Sequence, residues 1–315
     1  MAVPLVRLNS GYTIPQLGLG TWLSKPGEVG EAVRAALEVG YRHFDCAMGY
    51  GNQEEIGDVL KDAFNSGKVN REDVFVTSKL WNTYHSYAKA TEAIDIVLKQ
   101  LQLSYLDLCL IHWPMGYFEE DGLFPKDENG KIIYSNVDYV ETWRALEDSV
   151  KNGKIRSIGL SNFNIKQIER VLNHSTIKPA MLQIESHPYF TQTTLLDWCK
   201  KQGISVTAFS PLANNTHMFR KEGQPNLLED KVVVEIAGKH GKTPAQVALR
   251  WAIQRGTATV PKSTKRPRLE ENLNVWDFEL SSDDVEAISA LNQNWRILPL
   301  DRDVSHPHYP FHESA

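Results

Sequence analysis

Cysteine is scarce in this chain of 315 residues: Cys46, Cys109 and Cys199 are its only three, an odd number set far apart. That pattern does not suit a disulfide-stapled scaffold. Two of the three, in "HFDCA" and "LDLCLIHW", sit in apolar strand-like surroundings and read as small core residues kept reduced in a cytosol. No run approaches the roughly 18 apolar residues that a membrane-spanning helix needs. The opening "MAVPLVRLNSG" lacks a basic stretch followed by a long apolar one, so no signal peptide is read there. A charge excess of one sign is lacking too. The 34 basic and 39 acidic residues leave a net −5, which supports neither nucleic-acid nor anionic-membrane binding. A dinucleotide fingerprint is missing as well: Gly18 and Gly20 begin a G-x-G, but the third glycine would fall at Leu23. No metal-ligand spacing, flavin motif or low-complexity linker stands out, and no composition shift divides the chain. The expectation is a soluble, cytoplasmic protein of one domain over 1–315, with no nucleic-acid, membrane or obligate protein partner.

What the sequence does contain is alternation. Short β-rich apolar runs occur at 16–22, 43–47, 74–81, 106–113, 155–162, 180–187, 204–212 and 258–263. Between them lie amphipathic stretches such as "EVGEAVRAALEVG", where Val29, Val33, Ala36, Leu37 and Gly40 share one helical face. "YAKATEAIDIVLKQLQL" and "TPAQVALRWAIQRG" read the same way. This alternation demands parallel strands with helical crossovers, and eight repeats of it predict a closed (β/α)8 barrel, an α/β fold of the TIM type. Ahead of it, "LVRLNSGYTIP" predicts a small hairpin across the barrel's bottom. Two connections, roughly 114–137 and 213–229, are too long for simple turns and are expected to carry function.

Catalytic groups of a parallel barrel sit at the strands' C-terminal ends. Those ends read Trp22, Asp45, Lys79, His112, Ser161–Asn162, Gln183, Ser210 and Lys262–Ser263. Lys79 in "VFVTSKLW" is the odd one: an ammonium ending an apolar strand loses hydration and needs water or a carboxylate partner. Neighbouring strands are about 5 Å apart, so Asp45, Lys79 and His112 can converge, with Tyr50 folding back from the next loop. Each has an ordinary structural reading: ion pair, capping histidine, packing tyrosine. Their occurrence at successive strand ends outweighs those readings.

"DCAMGYGNQEEIG" (45–57), "LDLCLIHWP" (106–114), "IGLSNF" (158–163) and "VPKSTKRPRLEEN" (260–272) resemble the signatures of the aldo-keto reductase superfamily, nearest its aldose and aldehyde reductases. The likeness runs to the tail "HYPFHE". It implies a catalytic tetrad of Asp45, Tyr50, Lys79 and His112, and reduction of a small-molecule carbonyl by a nicotinamide. It implies NADP(H), with Lys262, Ser263 and Arg268 on the 2′-phosphate and Glu271 and Asn272 on adenine. Ser161, Asn162 and Gln183 would fix the carboxamide and Phe209 would stack on the ring, where close relatives carry tyrosine. Ser210, Leu212 and Thr264 complete that set. Trp22, Trp81, Trp113, Phe124, Leu298 and Leu300 would line the substrate mouth, although aromatics there also suit ordinary rim packing. Many relatives are monomers. His112, in place of the glutamate associated with steroid double-bond reduction, argues against that activity.

The chemistry explains the tetrad independently. A hydride leaves an alkoxide that needs a proton, and an unperturbed phenol, at about 10, donates poorly near neutrality. Lys79, kept charged by Asp45, is expected to lower the pKa of Tyr50 by about 2 units, which takes roughly 2.7 kcal/mol. Close relatives often latch the cofactor with an acidic residue near Thr216 paired to a lysine at the position of Leu23; neither charge occurs here, so faster NADP⁺ release is expected. Two other readings stay open. A Schiff-base lyase would use Lys79 as nucleophile, and a nicotinamide-binding scaffold would keep the pocket without turnover.

Overall fold

Eight of the apolar runs are strands, and they lie side by side in the order in which they occur. The computed structural model describes residues 3–119, 122–213 and 223–312. An antiparallel hairpin comes first, β1 (Leu5–Arg7) and β2 (Thr13–Pro15). Then follow β3 (Leu19–Gly20), α1 (Glu28–Val39), β4 (His43–Asp45), α2 (Gln53–Asn65), β5 (Phe75–Leu80), α3 (Tyr87–Leu101), β6 (Leu106–Ile111) and α4 (Tyr139–Lys151). The second half holds β7 (Ile155–Ser161), α5 (Ile165–His174), β8 (Met181–Glu185), α6 (Thr193–Gln202), β9 (Ser205–Phe209), α7 (Lys231–His240), α8 (Pro244–Gln254), β10 (Ala258–Thr259), α9 (Arg266–Leu273) and α10 (Ser282–Ser289).

Strands β3 to β10 form one parallel sheet in sequence order. Its two edges meet: Leu17 bridges Thr259 and Gly20 bridges Lys262, with Gly18 N–H donating to Thr259 O at 2.9 Å and Gly20 N–H to Pro261 O at 3.0 Å. The fold is thus a (β/α)8 barrel. Closure depends on Gly20, because a Cβ there would come within 2.7 Å of the Val260 carbonyl oxygen. The strands at the seam are shorter than the apolar runs that announced them, since only a few residues face both neighbours as the sheet curls shut.

Local sequence places the helices. Asn164 with Gln167 and Thr243 with Gln246 form capping boxes that start α5 and α8, the latter with Pro244 in its first turn. Helix α1 turns Val29, Ala32, Val33, Ala36 and Leu37 onto the barrel, then ends at Gly40, whose φ of 117° suits glycine. The hairpin does plug the bottom: Leu8 and Ile14 pack with Phe75, Leu108, Leu110 and Met181. All three cysteines are free and buried, and burial pushes each thiol up to about 12. Among the described residues, no helix is long and apolar enough to cross a membrane.

Two fully buried histidines make the fold acid-sensitive. Burial pushes His43 down to about 4, with Asp45 opposing, and His85 down to about 3, with His306 and His308 adding to it. Unfolded histidine titrates near 6.5. The folded values are depressed, so the stabilisation is complete above about pH 6.5 and is lost as pH falls toward 4. For His43 alone the loss by pH 4 is about 3 kcal/mol. Urea unfolding followed from pH 7 down to about 4 is expected to show a falling midpoint; an unchanged one would put these rings in water.

Candidate active site

The polar strand ends meet at one side of the barrel mouth. Asp45 closes β4 and Lys79 lies one residue before the end of β5. His112 follows β6 directly, fixed by its N–H to Leu80 O at 3.1 Å. Tyr50 ends a short 3-10 turn, Met48–Tyr50, which Gly51 (φ 66°) turns into α2. Gly49 lets that turn lie flat on the Trp81 ring, where a Cβ would come within 2.6 Å.

Lys79 is fully buried, and its ammonium donates to three oxygens: Asp45 Oδ2 at 2.7 Å, Cys46 O at 3.0 Å and Tyr50 OH at 3.2 Å. Three N–H bonds thus have three acceptors. The second carboxylate oxygen of Asp45 accepts from Gln183 Nε2 at 2.7 Å. His112 stands edge-on to Tyr50, ring centres 5.7 Å apart, and edge-on to Trp81 at 5.2 Å. Its Nδ1 is buried with no hydrogen-bond partner among the described residues.

Burial alone would drive Lys79 down; Asp45 and then Tyr50 more than offset this and hold it above the ordinary lysine value. Burial, and secondarily Lys79, holds His112 well below 6.5, so its imidazole is neutral. For Tyr50 the sequence-based expectation is reversed. Burial pushes the phenol up to about 12, and Lys79 only moderates that rise. Phenolate desolvation outweighs one ammonium whose charge already faces Asp45. Tyr50 therefore carries its proton at neutral pH, although its partial exposure at the mouth gives the upward push some relief.

The other implied residues divide. Asn162, in left-handed backbone at φ 62°, donates to His112 O and to Ser161 Oγ, both at 3.1 Å. Phe209, Ser210 and Leu212 line the end of β9, half-buried, with Phe209 in register with Glu185. Past β10, Lys262 and Arg268 are exposed, while Ser263 and Asn272 are buried and Thr264 lies between. Arg266 is paired with Glu38 and Glu270 at 2.6 and 3.0 Å. Arg268 has no side-chain partner among the described residues, and Lys262 reaches only Leu23 O at 3.5 Å. Glu271 already accepts from Thr243 Oγ1 at 2.8 Å. Two exposed cations beside the start of α9, neither in an ion pair among the described residues, are a donor set that fits a phosphate.

Trp81 and Trp113 form a buried aromatic wall with Met115 and Tyr117, onto which Leu300 packs. Phe124 stands edge-on to Trp81 at 5.4 Å and Trp22 lies 6.4 Å from Tyr50. Leu298 departs from this group: it packs on the cluster that holds Tyr189, Ala213 and Leu227. The long 114–137 connection is fixed by Trp81 Nε1 on Leu123 O at 2.6 Å. It is also fixed by Glu119, which accepts from His85 N, Ser86 N and Ser86 Oγ. Of the latch positions, Leu23 is exposed at the rim and Thr216 lies outside the described residues. The sequence reading missed Phe311, edge-on to Trp113 at 6.0 Å, although it stands in the quoted tail motif. It also missed the contact of Gln183 with Asp45, for which no local signal exists.

Known proteins resemble this chain. The Aldo/keto reductase family matches residues 16–293. Aldo-keto reductase family 1 member A1 of Gallus gallus is 46% identical over 98% of this chain and 97% of its own length. The protein of that name from Homo sapiens is 46% identical over 99% of both chains. The solved aldose reductase of Schistosoma japonicum superposes with a TM-score of 0.94 at 46% identity, covering 99% of this chain and 100% of its own. The chain belongs to the Aldo/keto reductase family.

Proposed function

We propose that the protein is an NADPH-dependent oxidoreductase that reduces aldehydes and ketones to alcohols, with Tyr50 as proton donor. The observation that carries this reading is the buried Lys79 ammonium joined at once to Asp45 and to the Tyr50 hydroxyl. When bound, NADPH supplies the hydride. Lys262, Ser263 and Arg268 would hold its 2′-phosphate, Glu271 and Asn272 its adenine, and Ser161, Asn162, Gln183 and Phe209 its nicotinamide. This chain's own residues then have distinct tasks. The neutral His112 edge orients the carbonyl oxygen in the mouth. The Tyr50 hydroxyl, beside it, hands over its proton as negative charge builds on that oxygen. Lys79 stabilises the tyrosinate left behind, and Asp45 keeps Lys79 charged. Trp81 and Trp113 keep water away and give the mouth an apolar, aromatic character suited to hydrophobic carbonyls.

A Schiff-base lyase would need Lys79 as a free amine, and the direction of its pKa opposes that. NADPH oxidation measured against a panel of aldehydes and ketones tests the reading; no turnover with any of them leaves the scaffold alternative. Arg268→Ala is expected to raise the KM for NADPH about 10- to 100-fold, the loss of one charge-assisted hydrogen bond, with NADH use unchanged. Equal efficiency of the native protein with both cofactors would remove the phosphate assignment.

A further inference from the structure

Strand β8 ends on a carboxylate that the proposed chemistry does not use. Glu185 is fully buried and lies two residues beyond Gln183, hence on the same face of the strand and one step nearer the mouth. Its Oε1 accepts from Ile297 N–H at 2.6 Å and from His187 Nε2 at 3.0 Å; its Oε2 accepts from Leu298 N–H at 2.9 Å. A carboxylate only accepts, so His187 donates from Nε2. Arg296 feels the Glu185 charge without a hydrogen bond to it, and its guanidinium lies over the rings of Phe311 at 3.4 Å and Phe190 at 4.5 Å.

A carboxylate withdrawn from water is costly unless it is fully hydrogen-bonded, and an apolar residue of similar size often serves a fold as well. What Glu185 does and leucine cannot do is grip two successive backbone amides of the C-terminal tail. The tail has no regular structure over 293–300, so its path must be fixed by such contacts. Tyr189 O takes the N–H groups of Gln293 and Trp295 just before the clamp. Just after it, Pro299 O accepts from Tyr309 OH at 2.5 Å and Asp303 from Tyr117 OH at 2.8 Å. Between these points the chain delivers Leu300 onto the Trp81–Trp113 wall.

We propose that Glu185 is a positioning residue for substrate choice: by clamping Ile297 and Leu298 it sets how far Leu300 reaches into the mouth. The protein thereby selects bulky aromatic carbonyls that touch this wall over small ones that do not. The kinetic part rests on the carbonyl-reductase reading; the clamp itself does not.

In Glu185→Gln one of the two amides faces an NH2 group, so one clamp bond is lost. The KM for 4-nitrobenzaldehyde is expected to rise about tenfold, while kcat, and the KM for propanal, stay within about twofold. Hydrogen exchange at whichever of Ile297 and Leu298 loses its acceptor is expected to be about tenfold or more faster than in the native protein. If Glu185→Gln fails to fold, Glu185→Asp, which keeps the charge but draws it back, carries the same two measurements. An unchanged KM for 4-nitrobenzaldehyde overturns the proposal, as do KM values that rise together with a fall in kcat for both substrates. If the native protein reduces neither carbonyl, exchange decides alone: faster exchange of either amide in the variant supports the clamp and unchanged exchange of both refutes it.

Discussion

Removing a single oxygen atom, in Tyr50→Phe, is expected to lower carbonyl reduction about 10²- to 10⁴-fold while leaving NADPH binding and the thermal midpoint nearly unchanged. The ring keeps its place on Trp22 and His112, and Lys79 keeps Asp45 and Cys46 as acceptors. Only the donor to a nascent alkoxide is gone. The one rival within reach is His112, and its surroundings argue against it. Burial and the nearby Lys79 keep the imidazole neutral, and among the described residues no carboxylate hydrogen-bonds to it to support an imidazolium. Tyr50, pushed up to about 12, stays protonated across the working range. Reduction measured as kcat/KM should therefore be flat from about pH 6 to 9, with no acid limb from a titrating histidine. A limb near 6.5, or full turnover without the hydroxyl, would hand the proton to His112.

That reversal of the Tyr50 pKa marks where sequence reading stops. Strand ends were legible because period and alternation are local, and a barrel joins strands in chain order. Asp45, Lys79 and His112 therefore had to fall on adjacent staves, and they do. Their convergence needs nothing more than three strand ends at hydrogen-bonding spacing. The balance between burial and Coulomb attraction at Tyr50 is different, since it depends on how much water the mouth admits, which no motif states. The tail is harder still. Glu185 meets Ile297 across 112 positions of sequence, and Leu298 turns toward Tyr189 and Leu227, away from the aromatic wall. A segment without secondary structure has no period from which its landing place could be read. Tail residues were thus legible as members of a motif, but their partners were not.

Lys79→Met is expected to damage both stability and turnover, and the two effects can be separated. The substitution keeps the side chain's length and deletes its charge, leaving Asp45, which is 3% exposed, with Gln183 as its remaining side-chain donor. Breaking a buried pair by removing one partner costs about 3–5 kcal/mol. The attraction between an ammonium and a phenolate 3.2 Å apart is at most about 5 kcal/mol at an effective dielectric of 20. Asp45, 2.7 Å from the same cation, offsets part of it, so a fall in turnover of about 10²- to 10³-fold is expected. Adding Asp45→Asn to Lys79→Met removes the stranded carboxylate. The double variant should recover much of the lost stability in urea unfolding, because neither buried charge remains to be desolvated. Its turnover should stay low, because the phenol still lacks its cation. Recovery of the fold without recovery of turnover separates the catalytic part of Lys79 from the structural part. Native turnover in the single variant would leave the ion pair a structural strut and send the search for the proton donor's activation elsewhere in the mouth.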